Sequence, residues 1–131
     1  MLMNGKYLLD TNIVIALFGN DPYVVEQIDK AEKIFIPVIV VGELYYGAIK
    51  SRFSKRNLEK IETFINSNTI LGCDKETARF YGNFKKDLKV SGKPIPENDI
   101  WIAAIAAQYK MSLITRDEHF HYIKDLKIKK W

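Results

Sequence analysis

The sequence is poor in cysteine and proline and has no long apolar run. Cys73 is the one cysteine in 131 residues, so no disulfide forms within the chain and no thiolate-rich metal cage can be built. With 4 prolines and 7 glycines the composition excludes a collagen-like or low-complexity chain. The longest apolar stretches, residues 34–42 and 100–109, fall well short of the roughly 18 residues of a membrane span, and Pro37 interrupts the first. No transmembrane helix is expected. Met1 to Asp10 lacks the basic segment, apolar run and small-residue cleavage site of a signal peptide, so the chain is expected to act in the cytoplasm. What is present, 47% hydrophobic and 27% charged residues, fits one globular domain over residues 1–131 around a single core.

Twenty Lys and Arg against sixteen Asp and Glu give a net charge of +4, and the basic residues are clustered. Lys50, Arg52, Lys55, Arg56 and Lys60 share one short segment, and Lys124, Lys127, Lys129 and Lys130 crowd another. Polyanions are candidate partners for such clusters, although solvated helix faces produce the same pattern.

Lys6-Tyr7-Leu8-Leu9 is a short apolar run suited to a buried strand, and Asp10-Thr11-Asn12 directly after it is a helix-opening signal. Residues 34–36, 69–72 and 112–115 read as further strands, and residues 127–129 as a short charged edge strand. Helical stretches over 12–18, 23–31, 38–51, 55–67, 75–90 and 97–109 separate the strands. Connections of that length suit crossover helices rather than hairpins, which predicts an α/β fold with a mostly parallel sheet covered on both faces. Gly92-Lys93-Pro94-Ile95-Pro96 is a loop inside the domain, with Pro96 expected at the first helical position of the segment that follows.

Ligands of open parallel sheets bind beyond the carboxyl ends of the strands. Asp10 directly follows the first strand and Asp117 lies two residues past Thr115, so both face one cleft if the first and fourth strands are neighbours. Each is also an ordinary helix or turn opener. Glu43 is the sole charge between Lys33 and Lys50, in a run of apolar residues where a carboxylate needs a basic partner, a proton or a cation. Asp99, behind Pro96, sits in the opening turn of a helix, where the dipole favours an anion. The small residues Ala103, Ala104, Ala106 and Ala107 then let that helix lie close against the sheet.

Acids gathered at one end of a sheet repel one another, and a hard divalent ion with oxygen ligands, Mg2+ or Mn2+, relieves that repulsion. Zinc has only His119, His121 and Cys73 to draw on, too few for its usual nitrogen and sulfur set. The histidines are expected on a surface loop and Cys73 in the core.

Leu8-Leu9-Asp10-Thr11-Asn12, Val41-Gly42-Glu43-Leu44, Asn98-Asp99-Ile100-Trp101 and Thr115-Arg116-Asp117-Glu118-His119-Phe120 occur in that order along nearly the whole chain. Together they resemble a PIN domain of the VapC toxin type. The resemblance implies a three-layer α/β/α fold and an Mg2+- or Mn2+-dependent endoribonuclease, the toxin of a toxin–antitoxin pair. It makes Asp10, Glu43, Asp99 and Asp117 the catalytic and metal-binding acids. Asp10 and Asp99 would be the direct ligands, and Asp117 would act directly or through water. Asn12 and Thr115 would orient the acids. Cleavage of this kind leaves 5′-phosphate and 3′-hydroxyl ends without a nucleophilic side chain.

On the same reading, Lys50, Arg52, Lys55 and Arg56 guide RNA through its phosphates, while Tyr45, Tyr46 and Phe53 either stack on bases or line an interface. The resemblance further implies a homodimer and a cognate antitoxin protein held in a groove near those aromatic residues. A non-catalytic PIN-like module that binds RNA or a protein partner is the alternative.

Overall fold

Among the described residues five strands form one sheet, β1 (Lys6–Leu9), β2 (Lys33–Pro37), β3 (Thr69–Leu71), β4 (Ser112–Ile114) and β5 (Ile128–Lys129), in the order β3-β2-β1-β4-β5. Every neighbouring pair is parallel. The computed structural model describes residues 5–131, so the first four residues of the predicted domain, and of the segment examined for a targeting signal, lie outside the described residues. The apolar runs occupy the middle of the sheet because a parallel strand is buried on both faces. Leu8, Leu9, Ile36, Leu113 and Ile114 accordingly have no exposure.

Six helices cover the sheet in an α/β/α arrangement: α1 (Thr11–Phe18), α2 (Pro22–Lys30), α3 (Val38–Ile49), α4 (Ser54–Asn66), α5 (Lys75–Val90) and α6 (Glu97–Tyr109). α1 packs on α2 and α3, α3 on α4 and α6, and α6 on α5. Ala103, Ala104 and Ala106 are buried in α6, as their small size predicts. No helix among the described residues is long and apolar enough to cross a membrane.

Three local expectations change. Pro96 precedes the first helical residue instead of occupying it, and its carbonyl accepts from the N–H groups of Asp99 and Ile100 at 3.0 and 3.3 Å. The histidine segment is a short 3-10 helix, Glu118–Tyr122, with both histidines exposed. Cys73 is exposed rather than in the core, because it leaves β3, the half-buried edge strand, and heads into solvent before α5.

Strand order reverses at β1, which has β2 on one side and β4 on the other. In the register of β1 and β4, Leu9 aligns with Ile114, so Asp10 and Thr115 emerge side by side at the carboxyl edge. This is the topological switch point where open α/β sheets bind ligands.

Candidate active site

Asp10 is anchored more heavily than any other acid of the group. Its main-chain N–H donates to the Ile114 carbonyl at 3.0 Å, which extends the β1–β4 pairing by one residue, and its own carbonyl opens α1. The carboxylate accepts from the Thr11 N–H at 2.8 Å, from the Thr115 hydroxyl at 2.7 Å and from Asn12 Nδ2 at 3.4 Å. It is 4% exposed. Burial raises its pKa; the bonds from Thr115 and Thr11 oppose the shift, and repulsion from Glu43 and Asp117 adds to it.

Thr115, 2% exposed, is the hub of a small network. Its hydroxyl gives its one proton to Asp10 and accepts from the Asp117 N–H at 3.0 Å and from Asn12 Nδ2 at 3.5 Å. Asn12 Oδ1 in turn accepts from the Arg116 N–H at 3.2 Å. The two polar residues expected to orient the acids therefore join the ends of β1 and β4 directly.

Glu43 projects from α3 and is half-buried. Its direct partner is the Thr11 hydroxyl, which donates to Oε1 at 2.8 Å. A neutral hydroxyl satisfies a lone pair and leaves the charge uncompensated. Asp99 lies in the first turn of α6, half-buried, and its carboxylate forms no hydrogen bond among the described residues. Burial, then repulsion from Asp10, Asp117 and Glu43, pushes its pKa up to about 7, while His119 pulls it the other way. Asp117 opens the 3-10 helix and receives both the main-chain N–H of His119 at 2.9 Å and its ring Nδ1 at 3.0 Å.

The four acids thus share one electrostatic environment although they come from four separate elements. Among the described residues none of Asp10, Glu43 and Asp99 forms an ion pair, and no three His, Cys, Asp or Glu side chains form a preassembled metal cage. Their donor atoms are all oxygens. Such a set fits Mg2+ or Mn2+, which keep several waters and need only one or two carboxylates from the protein.

The basic residues stand apart from the acids. Lys50 follows α3 seven positions after Glu43, about 10 Å along the helix axis. Arg52 is in the turn to α4, and Lys55 and Arg56 are in the first turn of α4. Their cations already cover aromatic faces: Lys50 lies 4.7 Å from the Tyr46 ring centre and Arg56 4.7 Å from that of Phe53. Tyr45 is half-buried, and its hydroxyl donates to Glu62 at 3.0 Å.

A cavity of about 310 Å3 lies between α1, α3 and α4 with Glu43 on its wall. It is lined by Ile15, Phe18, Leu44, Gly47, Ala48 and Ile61, so the groove uses a face of α3 other than the one bearing Tyr45 and Tyr46. Two further cavities, about 680 and 640 Å3, lie along α5 and the residue 124–127 segment, and none of the four acids lines them.

Sequence reasoning missed Thr11, which holds Glu43, and Arg116, which sits between Thr115 and Asp117. A threonine directly after a strand-end aspartate reads as a cap, and its partner 32 positions away leaves no local trace.

The chain matches the PIN domain family over residues 7–126. It is 39% identical over 129 residues to Ribonuclease VapC2 of Haemophilus influenzae, which covers 96% of this chain and 98% of that relative. It is 31% identical over 129 residues to the tRNA(fMet)-specific endonuclease VapC of Shigella flexneri, again over 96% of this chain and 98% of the relative. The crystal structure of DNA-bound VapBC from Salmonella typhimurium superposes with a TM-score of 0.91 at 31% identity, over 100% of this chain and 99% of that one. The acids at the switch point, the sheet order and these likenesses agree: the chain belongs to the PIN domain family, among the VapC ribonucleases.

Proposed function

We propose that this chain, as one domain over residues 1–131, is an Mg2+- or Mn2+-dependent endoribonuclease and the toxin of a type II toxin–antitoxin pair. One observation carries the reading. Four carboxylates from distant parts of the sequence act on one another at the switch point, and among the described residues no cation is paired with Asp10, Glu43 or Asp99. Such an arrangement is costly to the fold and useful to a bound divalent ion. The ribonuclease names of the relatives support the same activity.

Asp10 and Asp99 would hold the ion, with Glu43 and Asp117 supporting them. Bound there, a divalent ion would supply positive charge to the scissile phosphodiester and make water a stronger acid. The rest falls to the chain. Asn12 and Thr115 keep the Asp10 carboxylate aimed into the cleft, and Thr11 does the same for Glu43. Without the ion, Asp99 is the carboxylate that takes up a proton near neutral pH.

Lys50, Arg52, Lys55 and Arg56 bind RNA phosphates along the rim, with Tyr46 and Phe53 exposed beside them for stacking. The groove between α1, α3 and α4 takes an apolar segment of the antitoxin, and its end at Glu43 suits an inserted Arg or Lys. The VapBC complexes among the related structures support such a partner. The toxin works as a homodimer in the cytoplasm, a reading supported by the family resemblance.

Purified protein is expected to cut single-stranded RNA with Mg2+ or Mn2+ and to stop in EDTA, and Asp10→Asn or Asp99→Asn is expected to abolish cutting with the fold intact. Undiminished cleavage in EDTA would refute the mechanism. Folded, Mn2+-loaded protein that cuts no cellular RNA would favour a binding module. Expression of the chain alone is expected to arrest bacterial growth, with rescue by the small protein encoded beside it.

A further inference from the structure

Arg116 lies between two residues of the site and is tied down at three points. Its main-chain N–H donates to Asn12 Oδ1 at 3.2 Å, its Nε to the main-chain oxygen of Trp131 at 2.8 Å, and its Nη2 to Asp21 Oδ2 at 2.9 Å. Both side-chain anchors are themselves fixed. Trp131 is 7% exposed and packs edge-on against Tyr7 of β1, with ring centres 5.1 Å apart. Asp21 caps α2 with its other oxygen, which accepts from the Tyr23 and Val24 N–H groups at 3.1 and 3.2 Å. The guanidinium therefore spans two rigid elements with diverging donors, which a single ammonium cannot do.

We infer that Arg116 is a positioning residue of the active site, whose clamp on Trp131 and Asp21 fixes the path from Thr115 to Asp117 and thereby the aim of the Asp117 carboxylate. The inference rests on the nuclease reading above. Its physical need is plain: Asp117 is held among like charges that push it outward, and a 3-10 turn has few hydrogen bonds to resist. If the peptide at residue 116 rotates, the Asp117 N–H leaves the Thr115 hydroxyl, and the hydroxyl's bond to Asp10 is disturbed with it. A direct contact with RNA is the less apt role, since the guanidinium already serves the Asp21 carboxylate and the main-chain oxygen of Trp131.

The test compares Arg116→Ala, Arg116→Lys and Asp21→Asn with wild type by calorimetric titration of Mn2+ alone and by RNA cleavage. Loss of an outer partner of a metal site typically costs about 10–100-fold, so Arg116→Ala is expected to weaken Mn2+ binding and lower kcat by at least about tenfold. KM is expected to stay within about twofold. Arg116→Lys and Asp21→Asn should fall between, and Arg116→Ala should cost clearly less in an Asp117→Asn background than in wild type, because it acts mainly through that carboxylate. A raised KM with unchanged kcat and Mn2+ affinity would overturn the inference and make Arg116 an RNA contact; additive losses in the double variant would also overturn it. If Arg116→Ala does not fold, Arg116→Lys keeps the charge and Asp21→Asn keeps the α2 cap, and they carry the same comparison. Wild-type protein that binds Mn2+ yet cuts no RNA would refute the nuclease reading alone, since the Mn2+ titrations still decide the clamp.

Discussion

The Thr115 hydroxyl donates to Asp10 Oδ2 at 2.7 Å, a bond between residues 105 positions apart that closes the carboxyl edge of β1 onto that of β4. The same hydroxyl accepts from the Asp117 N–H, so one oxygen atom orients two acids of the site.

Thr115→Val keeps the shape and removes that oxygen. A buried carboxylate then loses its strongest donor, and the variant is expected to lose about 1–3 kcal/mol in urea denaturation, with most of it restored by Thr115→Ser. A valine variant as stable as wild type would mean that the network does not support the fold.

Metal-free protein should lose stability as pH rises from about 4 to about 7. The folded Asp99 carboxyl has its pKa pushed up to about 7 from an ordinary 3.8, so the folded chain holds this proton more tightly than the unfolded one. The stabilisation is complete below the unfolded value and is lost as pH climbs through the folded one. Asp10 is shifted in the same direction. In EDTA, melting temperatures measured from pH 4 to 8 are expected to slope downward, Asp99→Asn to flatten the slope and melt higher at pH 8, and saturating Mg2+ to raise the wild-type value there. An Asp99→Asn slope equal to that of wild type would remove Asp99 from the cluster.

Neutralising Lys50, Arg52, Lys55 and Arg56 together should weaken binding of single-stranded RNA and flatten its salt dependence. Each phosphate contact contributes a log–log slope of about −0.7, so two or three lost contacts are measurable by anisotropy titration across salt concentrations. An unchanged slope would return these residues to an ordinary solvated face.

Gly47 is open on the groove side, and a Cβ built there meets nothing within 4 Å. Gly47→Ala should therefore stabilise α3 by about 0.5–1 kcal/mol, whereas Gly47→Phe should fill the groove and weaken binding of the neighbouring gene product by at least about tenfold. Full affinity in the phenylalanine variant would place that partner elsewhere.

Much of this was legible in the residues. The run Lys6-Tyr7-Leu8-Leu9 followed by Asp-Thr-Asn marks strand and cap because burial period and capping chemistry act over a few residues. The place of Pro96 just before the helix is not legible, since a proline fits either side of a helix start and only the carbonyl bonds decide. The exposure of Cys73 is not legible either, because a small apolar side chain carries no sign of whether its strand lies at the centre or the edge of a sheet. The Arg116 clamp was invisible, as its partners lie 95 positions upstream and 15 downstream.

Local chemistry in the sequence by itself determined the elements, their order and the places of the four acids along them. Apolar period, helix caps and the distance between strands are properties of neighbours along the chain. Only the tertiary structure decided that β1 lies beside β4, that Asp10 is buried while Glu43 and Asp99 are half-buried, and that the hydroxyls of Thr115 and Thr11 rather than basic side chains meet Asp10 and Glu43. Desolvation and Coulomb repulsion depend on depth and on distance through space, and the chain acquires both only when distant strands pair.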